Sequence, residues 1–380
     1  AQLAPIPLPP AMEDSIYLSY LLPPVEQLAL LNQSGCTQIN GVDDAADWGR
    51  TCGAMAAVGL DATEVASVVR GLAAVLLLAQ LAFVADAAAA GEEAAVLDTP
   101  SEEALPRVAS LLGVADLRSP MCLRRLQVGD EVTLVPRTVA QAAEARDAAC
   151  KALYGRLFSW LVSRCNERLV DAAATAASIG ILDIYGFESF ATNSFEQLCI
   201  NFANERLQQQ FNADVLRGEQ AEYAEEGLPW THVDFNDNQP CLDLIDSRPQ
   251  LGGGGPGLLH LLDQQCAMPT GTDATFALEL RQRFETHASF AAPLREPLAF
   301  TIRHYAGDVT YLSTGFCAKN KDALPAELNA SLLGSTDAFV RTLFDDSAAA
   351  LVGAAASGRC SPAAAAPAAA SGRSSPADAP

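Results

Sequence analysis

The run Ser178–Asn212, SIGILDIYGFESFATNSFEQLCINFANERLQQQFN, constrains the fold more than any other part of the chain. Ile179–Leu182 is apolar at nearly every position, the pattern of a strand buried on both faces. Asp183 ends that run, and Gly186 three residues on marks a turn that gathers backbone N–H groups. Asn193 or Ser194 then caps a helix, with Gln197 placed for a capping box. Phe195, Leu198, Cys199, Phe202 and Leu207 follow at three- and four-residue spacing and predict its apolar face. The helix extends through Tyr223 and stops near Gly227 and Pro229, about 45 Å for thirty residues. Ligands of open α/β sheets collect beyond the carboxyl ends of strands, where Asp183 and Gly186 fall. On the tetrapeptide alone, an Asp at a strand end reads first as a turn or helix cap.

The longer string says more. DIYGFESF, NSFEQLCIN and NERLQQ, read in that order from Asp183, resemble switch II and the relay helix of the myosin motor domain. The resemblance extends upstream to LNQSGC and GVDD, at Leu31 and Gly41, and downstream to the HYAG and V-x-Y strings from His304 to Tyr311. It implies an α/β, mostly helical chain, a fragment of a P-loop NTPase-type motor with a few strands of the central transducer sheet. Five stretches follow: a Pro-rich extended N-terminus over 1–12; a helical region like the upper 50-kDa subdomain over 13–177; switch II and relay helix over 178–226; a region like the lower 50-kDa subdomain over 227–346; and a disordered Ala/Pro/Ser tail similar to loop 2 over 347–380.

The same resemblance assigns expected roles. Asp183 stands behind Mg²⁺ through water, the Gly186 N–H meets the γ-phosphate of ATP, and Glu188 pairs with an Arg of switch I. These three are the candidate catalytic residues, and Asp183 and Gly186 also bind cofactor. Leu262, Cys266, Ala267, Met268, Pro269, Thr270 and Gly271 form the helix-loop-helix that meets actin filaments. Phe187, Asn201, Tyr305 and Gly307 couple the two. Yet no G-x-x-x-x-G-K-[ST] and no Asn-rich switch I occur in the sequence, so there is no backbone cradle or Lys for the phosphates. The expectation is that this chain alone binds neither ATP nor Mg²⁺ tightly and does not hydrolyse ATP. Calmodulin-like light chains would belong to a lever arm the sequence does not reach. A truncated, non-catalytic protein that binds actin or another partner is the alternative reading.

Composition narrows the classes. The net charge of −22 argues against a nucleic-acid partner, which wants a basic face. Ten cysteines occur with no C-x-x-C pair, which reads as reduced, mostly buried thiols of a cytoplasmic protein; the resemblance to myosin implies a place on the actin cytoskeleton. The apolar run Gly71–Ala85 is too short for a membrane span, so no membrane insertion is expected and a buried helix is.

Elsewhere the residues predict a helix from Asp43 or Asp44 through Met55, helices over Ala62–Phe83, and a solvated linker or short helix over 86–105. Val114–Val135 shows only loose periodicity. Thr138–Leu169 reads as a long helix with Leu153, Leu157, Trp160 and Leu161 on its apolar face. Trp230–Leu244 reads as a short strand and turn, and Gly252–Gly255 as a linker. Phe300–Tyr311 reads as a hairpin turning at Gly307-Asp308, with His304 a hydrogen-bonded sheet histidine.

Overall fold

The computed structural model describes residues 22–87, 94–128, 131–169, 179–235, 237–248, 255–268, 270–321 and 324–345. The expected N-terminal extension, the Gly252–Gly254 linker and the tail from 347 lie outside the described residues. The chain divides into two compact units, one from the residues up to 176 together with those from 324, the other from 177 to 323.

The first unit is built on three helices, Ala62–Leu78, Thr99–Leu112 and Val139–Leu169. Asp43 caps the shorter helix Asp44–Ala57 by accepting from the Ala46 N–H. Asp61 and Glu64 form a reciprocal capping box at the start of Ala62–Leu78. Helical spacing then carries Val68, Leu78, Leu105, Val108, Leu112, Leu153 and Leu157 into one apolar core, closed by Leu328, Leu332 and Phe344. Trp160 packs against this core and sets its ring edge-on to Phe339 at 4.9 Å, as expected of a packing residue.

One sequence expectation fails here. Phe83 is not helical; it begins the short strand Phe83–Ala85, antiparallel to Ala95–Leu97. Of the two readings for 86–105, a solvated linker or a short helix, the helix forms, and it runs from Thr99 to Leu112 with Pro106 inside it. A proline there costs roughly 3 kcal/mol, offset by burial of Leu105, Val108 and Leu112 at about 1.5–3 kcal/mol each. The loosely periodic region forms a β-hairpin, Leu123–Val128 with Glu131–Pro136. Gly113 ends the proline-bearing helix at φ 61°, with an ideal Cβ only 2.7 Å from the Asp337 nitrogen. Only glycine satisfies both the left-handed turn and that close approach.

The second unit centres on the helix Phe195–Phe211 and the hairpin Ala299–His304/Gly307–Leu312. Gln197 accepts from the Ser194 N–H at 3.0 Å, so the expected cap forms. The helical run continues as a π-helix over Asn212–Gly218 and as an α-helix over Glu219–Glu225, and ends at Gly227 with φ 70°. Helices Gln239–Asp246, Leu258–Ala267 and Asp273–Phe284 pack Leu244, Ile245, Leu261, Leu262, Phe276 and Leu280 against Phe300, Ile302 and Tyr311. Trp230–Leu244 has no strand among its described residues; its second half is helical. The hairpin turns at Tyr305-Ala306, since His304 pairs with Gly307, two residues earlier than expected.

The largest departure lies in the run read first. Ile179 and Ile181 are 96% and 95% exposed, and residues 179–190 carry no strand or turn. Gly186 is absent from the positive-φ glycines, and its Cβ position meets nothing within 4 Å. A strand exists only by pairing, and no described strand pairs with this run. On the helix, Cys199 and Leu207 are exposed rather than core-facing, and the buried stripe is Leu198, Asn201, Asn204 and Glu205. That stripe is largely polar, and its partners make the site.

Candidate functional site: a polar latch on the long helix

The segment that follows the free run is held backbone-first. Asn201 Oδ1 accepts from the Glu188 N–H at 2.8 Å, and its Nδ2 donates to the Glu188 carbonyl at 2.8 Å. One turn on, Asn204 Nδ2 donates to the Tyr185 carbonyl at 3.1 Å. Asn193 exchanges hydrogen bonds with both backbone groups of Phe190 and donates to the Thr310 carbonyl, tying the segment to the hairpin. Phe187 sets its ring edge-on to His304 and Tyr305 at 5.4 and 6.0 Å. Residues 185–193 are thus anchored, whereas 179–184 stand open.

Behind the latch lies a buried chain. Asn201 Nδ2 also donates to Tyr311 Oη at 2.9 Å. Tyr311 Oη lies 2.8 Å from His304 Nε2, and His304 Nδ1 lies 3.0 Å from Glu205 Oε1. Both the His304 and Glu205 side chains are 0% exposed. One assignment leaves no donor idle: Tyr311 O–H donates to Nε2, and Nδ1–H donates to the carboxylate. Glu205 Oε1 also accepts from the Tyr305 N–H at 2.8 Å, and Oε2 from Asn238 Nδ2 at 2.5 Å. Burial pushes the Glu205 carboxyl up, but the hydrogen bonds from His304, Asn238 and Tyr305 outweigh it and hold it below its ordinary value. Burial, followed by the nearby Cys241 and Glu205, pushes the Tyr311 phenol up despite the Asn201 hydrogen bond.

Of the sequence-derived residues, Asn201, Tyr305 and Phe187 are brought together here, and Glu188 is bound to them by its backbone. The Glu188 carboxylate accepts from Gln197 at 3.3 Å. Gly307 opens the second hairpin strand at φ 144°. Asp183 and Gly186 are exposed and face no converging donor or cation among the described residues. As they stand, they do not fit ATP or Mg²⁺. Missed in the sequence were Glu205, Tyr311, Asn204, Asn238 and Cys241. Asn201, Asn204 and Glu205 at three- and one-residue steps beside Leu198 form a polar stripe in phase with the apolar one, the one signal that points to them.

The helices Leu258–Ala267 and Asp273–Phe284 flank the loop, and the first runs further toward it than Leu262. Leu262 is fully buried and holds its helix to the core, so it is no surface residue. Ala267, Met268 and Thr270 are exposed, Cys266 and Gly271 half-buried, and Pro269 lies outside the described residues. Thr272 caps the second helix, and Gln265 bridges to Thr275 and Glu279 at 2.7 Å each. An ideal Cβ at Gly271 would sit 1.8 Å from the Gln265 carbonyl oxygen. Gly271→Ala is therefore expected to force the loop open and cost about 1–3 kcal/mol, the usual range for overpacking; a shift in the urea midpoint checks it.

The myosin head (motor domain) family profile matches residues 11–375. The chain belongs to that family. It is 43% identical over 305 residues to myosin-3 of Arabidopsis thaliana, covering 80% of this chain and 25% of that one. It is 39% identical over 328 residues to the myosin-J heavy chain of Dictyostelium discoideum, covering 85% and 14%. With unconventional myosin-Vb of Homo sapiens it shares 38% identity over 335 residues, covering 86% and 18%. Against these three relatives the chain spans 14% to 25% of their length.

Proposed function

We propose that the chain is part of an actin-based motor that couples ATP binding and hydrolysis to filament binding and movement. In this reading, Asp183, Gly186 and Glu188 answer to the nucleotide and its Mg²⁺, and Phe187, Asn201, Tyr305 and Gly307 pass the change on. Cys266–Gly271 meets actin. The observation that carries it is the two-way hold of Asn201 on the Glu188 backbone. Through it, any shift of residues 185–190 is felt by a helical run extending to Glu225. Light chains would bind a lever arm outside these residues, and the setting is the cytoplasm and its actin cytoskeleton, with vesicle transport as the work. No described helix is long and apolar enough to cross a membrane.

These residues alone lack a phosphate loop, so they do not turn over ATP by themselves. The open state of Asp183 and Gly186 favours that view, and it equally supports the second reading, a non-catalytic protein that binds actin or another partner. Two measurements on the purified chain test both. Phosphate release in the presence of actin filaments is expected at background level; turnover above it overturns the inactive reading. In co-sedimentation at low salt, weak pelleting with little salt dependence is expected, because the sequence offers no Lys-rich surface to steer it. Failure to pellet removes actin binding from both readings.

A further inference from the structure

Two cysteines of the second unit meet beside the loop that joins the helices Leu258–Ala267 and Asp273–Phe284. Cys266 lies in the last turn of the first of these helices. Cys317 lies in the short helix Phe316–Asn320, which follows the hairpin. Both pack with the apolar core of Leu258, Leu261, Leu262 and Phe316. The Cys266 thiol donates to the Cys317 carbonyl at 3.5 Å. Asn320 Nδ2 donates to the Cys266 sulfur at 3.6 Å, and Asp263 Oδ1 holds Asn320 in place at 2.8 Å. Asp273 fixes the other side, accepting from the Gly315 and Cys317 N–H groups at 2.7 and 2.9 Å. The short helix is thereby bound to both helices that flank the loop, with the two cysteines at the joint.

The two thiols differ in character. Cys266 is half-buried and Cys317 is buried. Burial, then the Asp273 carboxylate, then the Cys266 sulfur push the Cys317 thiol up to about 12. Cys317 therefore stays protonated and inert toward solutes, whereas Cys266 is open to a small oxidant. An accessible sulfur with a second, resolving cysteine beside it is the arrangement of a redox-sensitive pair.

We propose that Cys266 and Cys317 are a peroxide-sensitive pair that closes reversibly into a disulfide. The Cys266 sulfur attacks one oxygen of hydrogen peroxide and the O–O bond breaks. A sulfenic acid forms, and the other oxygen leaves as water with the Cys266 proton. The Cys317 sulfur then attacks the Cys266 sulfur and the S–O bond breaks. The sulfenic hydroxyl leaves as water with the Cys317 proton. Two thiols are oxidised and one peroxide is reduced to two waters. A dithiol reductant reopens the bridge by exchange. Closure ties the helix before the loop to the helix after the hairpin, so the loop loses freedom on oxidation. The inference stands apart from the motor reading, because its test reads thiols and not filaments.

Peroxide titration of the dilute full chain, followed by alkylation of the remaining thiols and peptide mass spectrometry, tests it. A peptide pair joined through Cys266 and Cys317 is expected, lighter by two hydrogens and restored by dithiothreitol. It should outnumber any other cross-link by at least about tenfold, since groups held as neighbours react far faster than groups that must find each other. In Cys317→Ser, which cannot close the bridge, Cys266 is expected to stop at the sulfenic acid and take up dimedone. In Cys266→Ser, Cys317 is expected to remain a thiol. Cys36 and Cys199, both exposed, are the comparison. Cys266 joined mainly to another cysteine overturns the assignment, as does a Cys266 still reduced once Cys36 and Cys199 are consumed, or one that takes up no dimedone in Cys317→Ser. Should either variant not fold, the cross-link map of the unmodified chain decides alone.

Discussion

Glu205→Ala is expected to lower the unfolding free energy by about 3–5 kcal/mol, the cost of breaking a buried charged network by removing one partner. Alanine leaves His304 Nδ1, the Tyr305 N–H and Asn238 Nδ2 without the acceptor they share. His304 and Asn238 are buried and cannot turn to water instead. Glu205→Gln keeps the shape and one acceptor oxygen but turns a donor toward Asn238; its loss should be smaller, about 1.5–3 kcal/mol. Urea titration of both variants orders them, and the reverse order would refute the shared-acceptor argument. The pH dependence has a definite sign. A carboxyl held below its ordinary 4.5 contributes stability that is full above that value and is lost as pH falls through the lower folded one. The unmodified chain should therefore lose stability in acid below about pH 4.5 more steeply than Glu205→Gln does.

Asn201→Ala is the second large effect, because one side chain serves three groups. Its loss strips both backbone partners from Glu188 and the donor from Tyr311 Oη. The Glu188 groups are half-buried and regain some water. The fully buried Tyr311 does not, so the expected destabilisation is about 3 kcal/mol, toward the upper end for an unsatisfied buried group. The local effect should exceed the global one. Amide exchange across residues 186–190 is expected to rise at least about tenfold, since every 1.4 kcal/mol of lost protection is a factor of ten. Unchanged exchange there would mean that the segment is held by Phe187 and Asn193 rather than by the latch.

What the sequence reveals here follows the range of the interactions. Local signals are read well: the Asp43 cap, the Ser194–Gln197 pair, the long helix Val139–Leu169, the hairpin at Phe300 and the helix opening after Thr272 each depend on neighbours within a few residues. The polar partners of Glu205 come from Asn238 and His304, on separate elements, and nothing in the periodicity of one helix announces them. Tertiary burial also overrides local rules, as at Pro106. Ile179–Leu182 errs the other way: its composition suits a buried strand, but composition supplies only half of a pair.

That unpaired stretch has a colloidal consequence. Ile179–Tyr185 is a seven-residue, β-prone segment with no proline and one charge, exposed along most of its length. Such segments template cross-β association between chains. Asp183, the fifth of the seven, is that single charge, and a charge within such a run breaks its tendency to stack. Apart from anything it does for a nucleotide, its carboxylate works against the stacking of this run on copies of itself.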